Sequence, residues 1–161
     1  MKGLVLTIGA VAAALSLTFG LSVASASSSS TAAGTKVAAA SSPLGKILVD
    51  GRGRTLYLFA RDRNGKSACS GSCAVYWPPL IASGKPKASA GAKQSLLGTT
   101  RRADGRMQVT YRHHPLYRYS GDSAKGQTNG QGLNVSGGLW WVLSPAGNKI
   151  VKSGSSTGYG Y

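Results

Sequence analysis

Glutamate is absent from this chain of 161 residues, and aspartate occurs only as Asp50, Asp62, Asp104 and Asp122. Carboxylate chemistry therefore has four positions to draw on, where general acid–base catalysis needs tuned and positioned groups. Asp50 and Asp104 each stand next to glycine in turn-forming stretches, where aspartate bonds its own backbone. Asp62 and Asp122 end aromatic stretches, where capping the following loop explains them. A paired-carboxylate site would require the fold to bring those two together. Histidine and cysteine occur twice each, at none of the spacings of familiar metal motifs. No Gly-x-Ser-x-Gly elbow is present, and GQTNGQG lacks the Lys-Ser/Thr of a phosphate-binding loop. No catalytic residue is assigned, and no cofactor is expected.

Long apolar runs are also missing, except at the start, where Lys2 precedes Leu4–Leu21 and small residues follow at Ala24-Ser25-Ala26. That order predicts a secretory signal peptide over residues 1–26, cut after Ala26. The alternative is an uncleaved anchor, since the run approaches the roughly 20 residues that span a bilayer. After cleavage no stable membrane span is left, and the protein is expected to be extracellular or periplasmic. Residues 27–42, SSSSTAAGTKVAAASS, are too small and polar to bury a core, which predicts a disordered tether. The tail, residues 153–161, is expected to be disordered as well. Between them, residues 43–152 have the length of one domain. Nineteen Lys and Arg give a formal charge of +15. Such a surplus attracts anionic envelope polymers or lipid headgroups, and its spread along the chain argues against a dedicated nucleic-acid arm.

What is abundant is repetition. Sliding the chain by sixty residues without a gap lays ILVDGRGRTLYLFARD on MQVTYRHHPLYRYSGD. Val49 falls on Val109, Arg52 on Arg112, Leu56 on Leu116, Tyr57 on Tyr117, Phe59 on Tyr119 and Asp62 on Asp122, five of the six pairs being identical. This is an internal duplication, with repeats of about 44–95 and 96–151. Both copies alternate with period two, the mark of half-buried strands. Each carries turn residues between its apolar runs, Asp50-Gly51-Arg52-Gly53 and Arg112-His113-His114-Pro115. Each copy is thus predicted to be a β-hairpin, with a further tight turn at Asp104-Gly105. Trp77 closes one half and Trp140-Trp141 the other. Pro78 and Pro79 exclude a central strand beside Trp77, so a short helical turn within Ser70–Tyr76 leading into an irregular segment is expected there. WWVL and the later KIV should make a final hairpin. The predicted fold is all-β, two hairpin-centred repeats forming one small sandwich or partly closed barrel.

The succession TLYLFARD, CSGSCAVYWPPL, QVTYRHHPLYRYSGD, GQG and WWVLSPAG resembles a bacterial secreted-repeat family, the predicted lipoproteins with a Tyr-x-aromatic-x-x-Asp motif. The resemblance runs from about Leu44 to Ile150 and implies a small exported tandem-repeat protein whose molecular role is generally unassigned. Two departures stand out. No cysteine follows the signal to take a lipid, and His113 occupies a turn position that the family gives to glycine.

The remaining candidates are few. Cys69 and Cys73, the only cysteines of an exported chain, are expected to form a disulfide that pins the loop carrying Trp77. A redox dithiol is the alternative, without the two-residue spacing of the common motif. His113, His114 and Met107 could join the cysteines in a site for copper or zinc, although neighbouring residues of an extended chain point to opposite faces. Tyr57, Phe59, Tyr117, Tyr119 and the three tryptophans read as core, or else as a stacking platform beside basic residues. The function expected is that of a basic cell-envelope protein, non-enzymatic, associating with anionic polymers. The alternative is an exported redox or metal protein using the Cys pair with His and Met.

Overall fold

A computed structural model describes residues 34–151. The predicted signal peptide, the first part of the predicted tether and the C-terminal tail lie outside the described residues. The chain runs β1 (Lys36–Ser42), β2 (Gly45–Asp50), β3 (Tyr57–Phe59), α1 (Ser72–Tyr76), β4 (Lys87–Ser89), β5 (Leu97–Arg101), β6 (Met107–Tyr111), β7 (His114–Pro115), β8 (Asn134–Val135) and β9 (Gly138–Val142). The strands form three sheets of three, ordered β2-β1-β4, β3-β9-β8 and β5-β6-β7. The chain is therefore all-β, with one α-helical turn where the proline segment begins and a 3-10 turn at Gln94–Leu96, and the described strands do not close a barrel.

Both predicted hairpins are present. In the first, Leu56 N–H donates to Leu48 O at 3.0 Å and Asp50 N–H to Arg54 O at 2.8 Å, around the turn Gly51-Arg52-Gly53. In the second, Tyr111 lies opposite His114 across a two-residue turn made of Arg112 and His113, with φ of 47° and 65°. Two successive left-handed residues build the turn type whose twist matches that of the flanking strands. Here the chain uses neither Asn nor Gly for it. The extra loop residue of the first copy shifts its register by one, so the duplication is faithful in its second strands and loose in its turns. The final hairpin forms as well, with Ile150 N–H donating to Val142 O at 2.9 Å.

The disordered tether predicted for residues 27–42 is corrected over its last part. Lys36–Ser42 is β1, antiparallel to β2 and parallel to β4. Its Val37 is fully buried, and Ala38 and Ala40 pack against one core. Alanine and serine have weak strand preference, and here pairing on both edges overrides it. By the same sixty-residue offset β1 corresponds to β5, so the repeat begins one strand earlier than residue 44.

The half-buried strands are also corrected, because the central strands are buried on both faces. Tyr57, Phe59, Tyr117, Trp77 and Trp140 form one core with Ile47, Val49 and Val142. Leu56, Leu58 and Leu116 turn the other way, into a second core with Leu48, Val109, Tyr111 and Leu143. The period-two alternation sorts side chains between two apolar cores here, and not between core and water. Gln108, on the polar phase of β6, is fully buried; it is kept by Arg102 Nη1, which donates to its Oε1 at 2.7 Å, and by Leu116 O, which accepts from its Nε2 at 2.8 Å.

Candidate functional site

The two repeats meet at their tyrosines. Tyr57 N–H donates to Tyr117 O at 2.9 Å and Tyr117 N–H to Tyr57 O at 3.0 Å, an antiparallel bridge relating the copies by an approximate two-fold. The side chains then cross over. Tyr57 Oη donates to Asp122 Oδ2 at 2.6 Å, and Tyr117 Oη donates to Asp62 Oδ2 at 2.9 Å. Each aspartate also caps the loop after it, Asp62 Oδ1 accepting from Ala68 N at 2.8 Å and Asp122 Oδ1 from Asn129 N at 2.9 Å. Burial pushes the Asp62 carboxyl up to about 6, against the opposing pull of Ala68 N–H, the Tyr117 hydroxyl and Arg102. Burial raises Asp122 too, and both tyrosine hydroxyls are held far above their ordinary range by burial and by the facing carboxylates.

Beside these pairs the rings form a column in the order Phe59, Trp140, Trp77, Tyr119. Neighbouring centroids are 4.1, 3.8 and 4.3 Å apart, and the two indoles are inclined by only 2°. Each tyrosine of the central bridge meets the tryptophan of its own half edge-on, Tyr57 on Trp77 and Tyr117 on Trp140. The column alternates between repeats, so neither half possesses it alone. Tyr57, Tyr117, Trp77 and Trp140 are fully buried. Asp62 borders two surface clefts, neither of which includes Asp122, and each carboxylate is bound to its own loop.

The surface offers something different. A cleft of about 550 Å³ lies between Trp141 and Asp62, edged by Arg63, Arg112, His114 and Lys149. A second, of about 490 Å³, shares Asp62 and His114 and continues to His113 and Asn64. Trp141, expected in the aromatic core, is the tryptophan that remains partly exposed, with Lys149 Nζ 5.7 Å from its ring centroid. Arg63 Nη1 donates to Ala60 O at 2.6 Å, and Arg112 Nη1 to Ala146 O at 3.3 Å and to Asn148 Oδ1. His114 is held below its ordinary value by burial and then by the charges of Arg112 and His113.

A family model described as a secreted repeat of unknown function matches the chain twice, over residues 31–81 and 98–144. The chain belongs to this secreted-repeat family. No curated protein and no solved structure matches it. The first matched repeat of this secreted protein takes in β1, in agreement with the structural start of the duplication.

The secreted repeat carries a disulfide between Cys69 and Cys73, with a Cα separation of 5.4 Å. Cys69 is buried in the aromatic core, its carbonyl accepts from Arg102 Nη2 at 2.7 Å, and Trp77 N–H donates to Cys73 O at 2.8 Å, which ties the bridge to the tryptophan loop. Buried Arg102 further reaches Ser67 Oγ at 2.8 Å, and Ser67 Oγ lies 2.8 Å from Tyr117 Oη. Sequence reasoning passed over Arg102 as one of many surface cations. The site of His113, His114, Met107 and the cysteines is not assembled. The thiols are bonded to each other, Met107 lines a separate cleft with Lys85 and Leu97, and among the described residues no three of His, Cys, Asp and Glu are grouped to hold a metal.

Proposed function

We propose that this secreted repeat is a non-enzymatic envelope protein that associates with anionic polymers, its duplicated core serving as a rigid frame for a cationic surface. One observation supports this above others: three of the four carboxylates are turned inward, while most of the described cations, Arg102 being an exception, are turned outward. Asp50 is buried against Arg118 Nε at 2.6 Å and the N–H groups of Arg52 and Arg54. Asp62 and Asp122 hold the tyrosines. Asp104 alone is exposed, and it is paired with Arg106 at 2.7 Å. Lys46, Arg52, Arg61, Lys66, Lys87, Arg101 and Lys125 are among the exposed cations and have no acidic partner among the described residues. A surface of one sign draws polyanions by a field that salt screens within about 10 Å at 0.1 M.

The mature protein is expected to be retained on a polyanionic matrix such as heparin at physiological salt and to elute steeply as salt rises, because each neutralised anionic group releases counterions. Passage through the column unretained would sink the proposal. The redox and metal reading has less support, since the sulfurs are joined and the other ligand types are dispersed. A thiol count on native protein together with metal analysis tests it directly.

A further inference from the structure

We infer that the groove running from Trp141 to His113 is a binding site for an acidic polysaccharide chain, an inference that rests on the association with anionic polymers proposed above. Three features of the groove lead there. The first is shape: the two open clefts, of about 550 and 490 Å³, share Asp62 and His114 and so adjoin as one trough, which suits a chain laid across both. The second is the platform. Of the three tryptophans, Trp77 and Trp140 are sealed in the ring column, whereas Trp141 keeps part of its ring at the surface and lines the trough. An indole face takes the apolar C–H face of a pyranose, while the edges of the sugar stay free for polar partners.

The third feature is the set of cations. Arg63 uses Nη1 on the backbone carbonyls of Ala60 and Asp62, and Arg112 uses Nη1 on Ala146 O and Asn148 Oδ1, which orients both guanidinium groups and leaves their Nε and Nη2 without an acceptor among the described residues. An oriented guanidinium binds a carboxylate through two parallel hydrogen bonds. Lys149, on a flexible stem beside Trp141, adds a mobile third charge. The one carboxylate in the trough is outnumbered there by Arg63, Arg112 and Lys149, and its oxygens are turned to Ala68 N–H and the Tyr117 hydroxyl. A partly exposed indole lining the same trough as two guanidinium groups matches a uronate chain, in which each sugar carries its own acid. A single-stranded nucleic acid would be held better by a row of exposed platforms for successive bases, whereas here Phe59, which also lines the trough, is buried and Trp141 is the one partly exposed benzenoid ring beside the two imidazoles.

The experiment titrates the mature protein with an oligogalacturonate, its methyl-esterified neutral form, inorganic polyphosphate and oligodeoxythymidylate at fixed salt. Variants are Trp141→Leu, the pair Arg63→Ala with Arg112→Ala, and a charge-matched pair outside the trough, Arg52→Ala with Lys125→Ala. Oligogalacturonate affinity is expected to fall about tenfold or more in Trp141→Leu and in the trough pair, the loss typical of one stacking or charge-assisted contact, and by less than about threefold in the outer pair. Polyphosphate affinity should be unmoved by Trp141→Leu. Unaltered melting of the trough pair keeps the test valid even if Trp141→Leu is destabilised. Equal losses for both Arg-containing pairs, or full oligogalacturonate affinity in Trp141→Leu, would overturn the site and leave only the general field. Tighter binding of oligodeoxythymidylate with the same dependence on Trp141 would overturn the saccharide assignment. Failure of wild type to bind any of the anionic probes removes the proposed function itself.

Discussion

In an extended strand, residues five apart point to opposite faces, so a tyrosine and the aspartate at the end of its own Tyr-x-aromatic-x-x-Asp stretch are poorly placed to meet. The duplicated chain resolves this by exchange, Tyr57 bonding Asp122 and Tyr117 bonding Asp62. Removing one partner leaves buried polar groups unpaired, which costs about 1–3 kcal/mol for each. Asp122→Ala strands both the Tyr57 hydroxyl and Asn129 N–H and should lower unfolding free energy by roughly 2–4 kcal/mol, with Asp122→Asn losing less. Urea denaturation measures both, and a double-mutant cycle with Tyr57→Phe should give a coupling of about 1–2 kcal/mol. Strict additivity would show that the pair does not act together. A pH dependence follows at the other pair. Since burial places the folded-state Asp62 carboxyl at about 6, above its ordinary value near 4, the folded chain binds more protons than the unfolded chain between those limits. Ionisation of Asp62 therefore costs stability, and the margin of wild type over Asp62→Asn should shrink as pH rises from about 4 to 6. A margin that grows over that window contradicts the burial of this carboxyl. Asp104 has the opposite sign, because Arg106 holds it down to about 2, so its contribution is present at neutral pH and is lost in strong acid.

The hairpins are the elements most readily seen in the sequence, because turn residues and period-two alternation are local signals. The turn at Arg112-His113 is where a local rule is broken, with a non-glycine residue held at φ 65°. Its counterpart in the first copy is Gly53, at φ 82°. A left-handed conformation costs a side-chain-bearing residue about 1–2 kcal/mol, so His113→Gly should raise stability by about 1 kcal/mol and be seen as a higher Tm. A lower Tm would show that the exposed imidazole makes a contact of its own. Strand β1 was hidden because its residues, Ala and Ser for the most part, carry no strand signal of their own. Its only trace was the repeat itself, since the same offset that aligned Tyr57 with Tyr117 lays Val37 on Leu97. The disulfide loop and its helical turn were legible from CSGSC and the prolines. The hold of Arg102 on that loop was not, because nothing local separates one arginine among many that becomes buried.

At the scale of the molecule, each half contributes alternate rings to the column Phe59, Trp140, Trp77, Tyr119, and each lends its aspartate to the other. Fragments 34–95 and 96–151, expressed separately, should therefore lack fixed tertiary structure, visible as a flat near-ultraviolet circular dichroism spectrum. Mixing them should restore the aromatic bands, and an ordered spectrum from either fragment alone would refute the interlocked core. The duplication, the turn positions and the excess of positive charge could all be read along the chain, because each is written in composition, in local turn residues or in the repeat itself. The exchange of tyrosine and aspartate partners, the burial of the central strands on both faces, the strand made of alanine and serine, and the choice of Trp141 over its two neighbours for the surface could not. Those depend on which distant residues meet, Tyr57 with Asp122 and Val37 with Ala88 among them, and contacts of that kind exist only once the chain has packed.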